Sequence, residues 1–324
     1  MKKPLIILTG PTAVGKTELS IRLAKMVNGE IISADSMQVY KHMDIGSAKI
    51  MPWEMEGVPH HLVDVFEPDE EFHVVKFKEY ACRCMKEIYE RGRIPILTGG
   101  TGFYIQAVLY DIDFTENGSD HTFRNELETI AGEKGNEVLH QMLAEVDPVS
   151  AGQIHANNVK RVIRALEYYH ETGTPISLHN EQERQKTSPY NFAYFVLNDR
   201  RDRLYERIDA RVDQMLSRGL VDEVKYLKEK GYTKDMVSMQ GLGYKEILGY
   251  LDGEYSLEEA IYILKRDTRH FAKRQLTWFK RERDVCWIDK EALSYSNEKI
   301  LERMAQILTE RGIWTKQETD GNHG

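Results

Sequence analysis

The sequence has little cysteine and proline and no long apolar run. Its 324 residues include nine prolines and three cysteines, Cys82, Cys84 and Cys286. Three cysteines cannot build a disulfide framework or supply four thiolates to a zinc site. No apolar segment reaches membrane length, and the N-terminus does not resemble a signal peptide. These absences predict a globular protein of the reducing cytoplasm that does not enter a membrane.

An excess of positive charge is also lacking. The formal net charge is −8 at pH 7, although 30% of the residues are charged. This balance argues weakly against nucleic-acid binding, but local patches of charge decide such binding more than the net value does.

The first chemical motif is GPTAVGKT, which follows the apolar residues 5–8 and opens an amphipathic segment. It matches the pattern of a phosphate loop. Two glycines allow successive backbone N–H groups to face an anion, Lys16 adds a positive charge, and the Thr17 hydroxyl can bind Mg²⁺. The predicted phosphate-binding residues are Gly10, Pro11, Thr12, Ala13, Val14, Gly15, Lys16 and Thr17.

Strand and helix patterns alternate along much of the chain. Besides residues 5–8, strand patterns occupy residues 30–34, 61–65, 94–98, 193–197 and 285–288, and helix patterns include residues 74–90 and 297–310. This alternation predicts a parallel sheet flanked by helices, an α/β core like that of P-loop NTPases. The core is expected at residues 1–110 and 190–313. Residues 111–189 read as an all-helical insertion domain, and residues 314–324 as a disordered tail.

Polar residues follow two of the predicted strands. Asp35 ends the second strand, at the edge where open α/β sheets bind ligands, so it could accept a proton from a nucleophile or simply cap the next helix. Thr101 lies among glycines and could orient Asp35, bind a phosphate or form a plain turn. No acid ends the strand at residues 94–98, so nucleotide hydrolysis is less well supported, although Asp199 is a possible substitute.

Two segments are strongly basic. Residues 265–283 contain eight Lys or Arg against two acids. On a helix, Leu264, Thr268, Phe271, Gln275 and Trp278 fall on one side, and Arg266, Arg269, Lys273 and Lys280 on the other. A second cluster contains Lys160, Arg161 and Arg164. Each could be a solvated surface, but together with a phosphate loop they favour an enzyme that acts on a nucleic acid.

From Leu5 to about Ile288 the sequence resembles the tRNA dimethylallyltransferase (tRNA isopentenyltransferase) family. The resemblance is carried by GPTAVGKT, IISADSMQVY, DIGSAK, PILTGGTGFY, GLGYKEIL and TRHFAKRQLTWF. It implies transfer of a dimethylallyl group from its diphosphate to N6 of adenine 37 of tRNA, releasing diphosphate, with Mg²⁺ and without ATP. No zinc-finger pattern follows Trp287, which favours the bacterial type.

The resemblance also implies roles for residues. Asp35 would remove the N6 proton with Thr101 beside it, and Arg211 would hold the diphosphate, with Arg207 as the competing choice. The adenine would be extruded from the anticodon loop into the site, where the Gln38 amide could read its edge. The implied tRNA-binding residues are Asp35, Ser36, Met37, Gln38, Thr101, Arg124, Lys160, Arg161, Arg164, Arg269, Lys273 and Lys280.

Three other functions fit part of this pattern. A small-molecule kinase would explain the loop and Asp35 but not the basic helices. A free-adenylate isopentenyltransferase would share the chemistry but lack the insertion. A non-catalytic RNA-binding module would explain only the basic segments. The favoured interpretation is a monomeric enzyme whose partners are dimethylallyl diphosphate and the anticodon stem-loop of tRNA.

Overall fold

The computed structural model describes residues 2–114 and 122–315. The predicted loop break at residues 117–118 and nearly all of the predicted tail lie outside these residues. Six parallel strands form one sheet in the order β3-β2-β4-β1-β5-β6. The strands are β1 (Pro4–Thr9), β2 (Gly29–Ser33), β3 (His60–His61), β4 (Ile94–Gly99), β5 (Asn191–Asn198) and β6 (Val285–Asp289).

Helices connect and flank these strands. They are α1 (Lys16–Val27), α2 (Val74–Glu90), α3 (Gly102–Leu109), α4 (Thr122–Lys134), α5 (Asn136–Val146), α6 (Pro148–Gln153), α7 (Val159–Thr172), α8 (Ile176–Gln185), α9 (Arg201–Ser217), α10 (Leu220–Glu229), α11 (Tyr244–Leu251), α12 (Leu257–Phe279) and α13 (Asn297–Glu310). Short 3₁₀ turns occupy Pro52–Glu54 and Ser238–Gln240. The predicted α/β fold is therefore confirmed.

The central strand β1 shows why the sheet forms. Its four consecutive apolar residues, Leu5, Ile6, Ile7 and Leu8, are all fully buried. Successive side chains of a strand point to opposite faces, so both faces of this strand are covered, as in other parallel sheets. Helices α1 and α13 contribute residues to the core cluster that contains Ile6 and Leu8. Parallel pairing brings the carboxyl ends of β1, β2 and β4 to one edge of the sheet.

The strand predicted at residues 61–65 is wrong in extent. Strand β3 covers only His60 and His61, which pair with Ile31 and Ile32. Leu62 and Asp64 have φ values of 60° and 57°, in the left-handed region that a strand cannot contain. The apolar alternation of this segment instead buries Leu62 and Phe66 in an irregular loop.

The chain divides into two compact units. The first contains the sheet and consists of Met1–Leu109 and Pro189–Gly324, and the second is Tyr110–Ser188. The described residues of the second unit contain helices α4 to α8 and no strand. Its own core includes Leu127, Leu139, Leu143, Val162 and Leu166, all buried. The sheet resumes at β5 directly after this unit.

Candidate active site

The phosphate loop connects β1 to α1 at the carboxyl edge of the sheet. Its path needs unusual backbone angles, with φ of 147° at Gly10 and 100° at Gly15. A side chain at Gly10 would also collide with the β5 backbone, since its Cβ would lie 2.6 Å from the carbonyl oxygen of Leu197. Both glycines of the motif are therefore required by the loop's geometry. Thr17, the second residue of α1, is exposed.

Three cationic side chains hold the carbonyl oxygens of this loop. Lys16 Nζ donates to Gly10 O at 3.0 Å and to Pro11 O at 2.9 Å. Arg207 Nε, from α9, donates to the carbonyl oxygen of Ala13 at 2.7 Å. Lys290 Nζ donates to that of Val14 at 2.9 Å. These bonds fix the loop backbone and surround it with positive charge.

Lys290 is a residue of this site that sequence reasoning missed. It follows β6 directly and is 8% exposed. Burial, with the nearby charge of Arg207, lowers the pKa of its ammonium group. The available signal was its position just after an apolar strand. Because the strands are parallel, such a residue falls on the same edge as the phosphate loop.

Lys16, Arg211 and Asp35 interact electrostatically. Burial and the Arg211 charge lower the pKa of Lys16 to about 7, while Asp35 acts in the opposite direction. Burial likewise lowers the pKa of Arg211, and the Asp35 charge opposes this. The competing candidate, Arg207, bonds the carbonyl oxygen of Ala13, and its Nη2 would lie 3.7 Å from a Cβ at Gly15. Arg211 thus interacts with both Lys16 and Asp35, and Arg207 lies close enough to affect Arg211 in turn.

The loops that carry Asp35 and Thr101 are in direct contact. Thr101 N–H donates to the carbonyl oxygen of Ala34 at 3.2 Å. A Cβ at Gly99 would lie 2.2 Å from that oxygen, so the approach depends on glycine. Asp35 Oδ1 accepts from the backbone N–H groups of Met37 at 2.9 Å and Gln38 at 3.4 Å. This carboxylate therefore caps the following turn, and among the described residues its Oδ2 has no hydrogen bond.

The segment after Asp35 is fixed by contacts within the protein. The Gln38 amide accepts from Ser33 Oγ at 3.1 Å and donates to the carbonyl oxygen of Ala48 at 3.3 Å. The amide expected to read an adenine edge is thus already paired. Met37 packs on Gly241, since a Cβ added at Gly241 would lie 2.4 Å from Met37 Cε. Ser36 is half-buried.

A carboxylate from α10 fixes the loop that follows this segment. Glu223 accepts from the backbone N–H groups of Asp44, Ile45 and Gly46 at 2.7 to 3.0 Å. It also accepts from the Tyr244 hydroxyl at 2.8 Å. Glu223 therefore clamps the DIGSAK motif, since its one side chain satisfies three consecutive backbone donors.

Helix α12 presents an open basic cavity of about 400 Å³, lined by His270, Lys273, Arg274, Thr277, Trp278 and Arg281. The sequence pattern placed Trp278 opposite Lys273, yet both line this cavity. The Trp278 indole also packs against Gly102. Lys280 is exposed. Arg269 instead forms an ion pair with Asp209 of α9, at 2.6 Å between Nη1 and Oδ1.

The second unit also contains predicted tRNA-binding residues. Arg124 on α4 makes two hydrogen bonds, of 2.8 and 2.6 Å, to the carboxylate of Glu167 on α7. This buried partner compensates its charge, so Arg124 joins two helices. Lys160 and Arg161 are exposed near the start of α7, and Arg164 is half-buried one turn later.

Residues 2–114 and 122–315 show neither a metal site built by the protein alone nor a membrane-spanning helix. The described residues contain no group of three or more His, Cys, Asp or Glu side chains that could hold a metal ion. The adjacent His60 and His61 contact the carbonyl oxygen of Val58 and the carboxylate of Glu30. None of the described helices is long and apolar enough to cross a membrane.

The sheet topology and the strand–loop–helix at its carboxyl edge define a P-loop α/β protein. The model of the IPP transferase family matches residues 38–282. The tRNA dimethylallyltransferase of Lachnoclostridium phytofermentans is 66% identical over 311 residues, covering 96% of this chain and 99% of the relative. The chain therefore belongs to the tRNA dimethylallyltransferase (IPP transferase) family, whose members are prenyl-transferring enzymes that modify tRNA.

Solved structures agree with this assignment. The full-length tRNA isopentenylpyrophosphate transferase of Bacillus halodurans is 46% identical, with a TM-score of 0.72 and coverage of 96% of this chain and 98% of that one. A eukaryotic dimethylallyltransferase acting on tRNA is 31% identical, with a TM-score of 0.82 and coverage of 98% and 81%. The resemblance identified from sequence motifs is thus confirmed.

Proposed function

We propose that this chain transfers the dimethylallyl group of dimethylallyl diphosphate to N6 of adenine 37 of tRNA. The observation that carries the proposal is the grouping of Lys16, Arg211 and Asp35 at one edge of the sheet. Two cations beside a phosphate loop suit a departing diphosphate, and a carboxylate beside them suits removal of a proton. Membership of the family supports the same reaction.

The reaction balances with these groups. The adenine N6 attacks C1 of the prenyl group, a C–N bond forms, and the bond between C1 and the diphosphate oxygen breaks. Asp35 takes the proton lost by N6, and the electron pair of the broken bond leaves with the diphosphate. Negative charge grows on that diphosphate in the transition state, so the loop N–H groups, Lys16 and Arg211 stabilise it most at that point.

Magnesium fits this site as a partner of the diphosphate. The described residues offer no closed set of metal ligands, and Mg²⁺ commonly binds through few protein groups together with phosphate oxygens and water. The exposed Thr17 hydroxyl at the start of α1 would hold it. When bound, the ion neutralises part of the charge on the leaving diphosphate.

The acceptor must reach Asp35 as an unstacked base. An adenine within a stacked anticodon loop cannot approach a carboxylate held between two protein loops, so it has to be extruded into the site. Asp35, Ser36, Met37 and Thr101 would meet the base. Lys273 and Lys280 of α12, with Lys160, Arg161 and Arg164 of the second unit, would contact the phosphate backbone.

The test is a turnover assay with labelled dimethylallyl diphosphate, Mg²⁺ and unmodified tRNA, beside free AMP and beside ATP with small acceptors. We expect label in tRNA alone. Label in AMP would indicate a free-adenylate isopentenyltransferase, and ATP consumption without prenyl transfer would indicate a kinase. Asp35→Asn and Thr101→Ala should each lower turnover by about 10²-fold or more, and tRNA affinity should stay nearly unchanged.

Asp69→Asn, on an exposed loop of the same unit, is the matched control and should retain full turnover. Loss of tRNA affinity equal to the loss of turnover in Asp35→Asn would contradict the role given to Asp35. Retention of tRNA binding with no turnover in the wild-type protein would identify an RNA-binding module instead.

A further inference from the structure

The buried amide of Gln275 on α12 connects two loops of the active site. Gln275 is 5% exposed. Its Oε1 accepts from the backbone N–H of Thr12 in the phosphate loop at 2.8 Å. Its Nε2 donates to the carbonyl oxygen of Gly100, next to Thr101, at 3.0 Å. One side chain therefore contacts both the loop proposed to hold the diphosphate and the loop that carries Thr101.

The amide satisfies both partners at once. The Thr12 N–H needs an acceptor and the Gly100 carbonyl needs a donor, so the orientation of the amide is determined by its neighbours. An ionised carboxylate could not donate to Gly100, and a thioether of the same length could do little for either group. Buried backbone groups left unpaired are costly, so loss of the amide should change the loops rather than leave them in place.

Two glycines let α12 approach the Thr101 loop this closely. A Cβ at Gly100 would lie 2.1 Å from Gln275 Nε2, and a Cβ at Gly102 would lie 2.2 Å from Trp278 Cδ1. Thr101 is thus flanked on both sides by contacts from one helix. These contacts explain why the GGTG segment has glycine on each side of its threonine.

The same helix carries the basic cavity. Lys273 and Arg274, the two residues before Gln275, are exposed and line it, and Trp278 connects the cavity to Gly102. Residues that would meet tRNA and a residue that holds both active-site loops are therefore neighbours on a single rigid element.

We propose that Gln275 is a positioning residue that sets the phosphate loop and the Thr101 loop at the distance needed for prenyl transfer. The proposal rests on the proposed function and deepens it. Gln275 touches neither substrate. It acts by holding the phosphate loop at Thr12 and the neighbouring loop at Gly100, which fixes Thr101 relative to the phosphate loop. The basic face of α12 binds tRNA independently of it.

The test uses the full chain with Gln275→Met, which keeps the volume and loses both hydrogen bonds, and Gln275→Glu, which loses the donor to Gly100. We expect each to raise the KM for dimethylallyl diphosphate about tenfold and to lower the single-turnover rate about tenfold or more, the scale for one or two disrupted buried hydrogen bonds. The Kd for tRNA should stay within about twofold. Gln214→Met, on the exposed side of α9, is the matched control.

Lys273→Ala supplies the opposite pattern, a weaker Kd for tRNA with an unchanged KM for the donor. If donor KM and single-turnover rate are unchanged in Gln275→Met, the proposal is wrong. It is also wrong if donor and tRNA affinities fall together with the Tm, since that would mean a purely structural role. If Gln275→Met does not fold, the same changes in donor KM, single-turnover rate and tRNA Kd are measured for Gln275→Glu and decide the question. Absence of prenyl transfer in the wild-type protein would instead overturn the proposed function.

Discussion

At the residue scale, the cations around the phosphate loop divide into two kinds. Lys16 and Arg211 interact electrostatically with Asp35, at the place where the leaving diphosphate would gain negative charge during the proposed reaction. Arg207 and Lys290 hold the carbonyl oxygens of Ala13 and Val14. Among the described residues, Arg207, Arg211 and Lys290 have no carboxylate within ion-pair distance. Cations that lack a carboxylate in ion-pair contact make a favourable environment for an anion.

Replacement of the two arginines of α9 should separate these roles. We expect Arg211→Ala to lower kcat about 10²-fold, because a cation facing the leaving group acts mainly in the transition state. Arg207→Ala should instead raise the KM for dimethylallyl diphosphate about tenfold with a smaller change in kcat, because it loses the bond that shapes the loop at Ala13. Steady-state kinetics with saturating tRNA measure both. A larger kcat loss in Arg207→Ala would reverse the assignment.

At the element scale, helix α12 combines a buried face, an open basic cavity and ion pairs to a neighbouring helix. Lys265 and Arg269 pair with Asp213 and Asp209 of α9, at 2.6 Å in each case. The basic residues that face α9 and those at the cavity therefore have different roles. Those facing α9 join helices, and those lining or flanking the cavity remain available to phosphate groups.

The salt dependence of tRNA binding should distinguish the two groups. Lys273→Ala should weaken binding and reduce the slope of log K against log salt by about 0.7 to 0.9, the value for one lost phosphate contact. Arg269→Ala should change the slope little and lower the Tm, because Asp209 is left without its partner. Lys299→Ala, an exposed site on α13, is the control and should change neither. An unaltered slope in Lys273→Ala would remove α12 from the tRNA-binding surface.

At the scale of the whole molecule, a buried carboxylate joins β2 to the end of α2. Glu30, with a side chain 2% exposed, accepts from Arg91, Arg93 and His61 at 2.7 to 3.1 Å. Burial alone would raise the pKa of Glu30, but hydrogen bonds from Arg91 and His61 and their charges lower it to about 2. Since the two arginines are partly exposed, solvent screens part of this attraction.

This cluster predicts a loss of stability in acid. The folded-state pKa of Glu30 is below its unfolded value of 4.5, so its contribution is complete above about pH 4.5 and is lost as the pH falls toward 2. Glu30→Gln should cost about 2 kcal/mol in the free energy of unfolding at pH 7, because it leaves buried donors poorly paired. Its stability should then depend less on pH than that of the wild type between pH 4.5 and 2.

Denaturant unfolding at several pH values measures this difference. Glu90→Gln, at an exposed site on α2, is the matched control and should keep the acid dependence of the wild type. Parallel pH curves for Glu30→Gln and the wild type would show that other carboxylates carry the acid sensitivity.

Several elements follow from local sequence pattern. The phosphate-loop motif, the helices at 74–90 and 297–310 and the parallel sheet agree with the structure because capping, periodicity and strand burial are local properties. The strand at 61–65 was wrong, since two left-handed residues leave no sequence signal when they are not glycine. The hydrogen bonds and ion pairs of Gln38, Arg124 and Arg269 could not be predicted from the sequence either, because a free and a paired polar side chain give the same sequence pattern.

The sequence by itself therefore determined the class of fold, the phosphate loop, the family and the position of Asp35 at a strand end. These depend on short motifs and on the order of elements. The tertiary structure alone decided that Arg207 holds Ala13, that Lys290 holds Val14, and that Gln275 bridges Thr12 and Gly100. The last two contacts join residues 276 and 263 positions apart, and such pairings exist only once the sheet has brought distant strand ends to one edge.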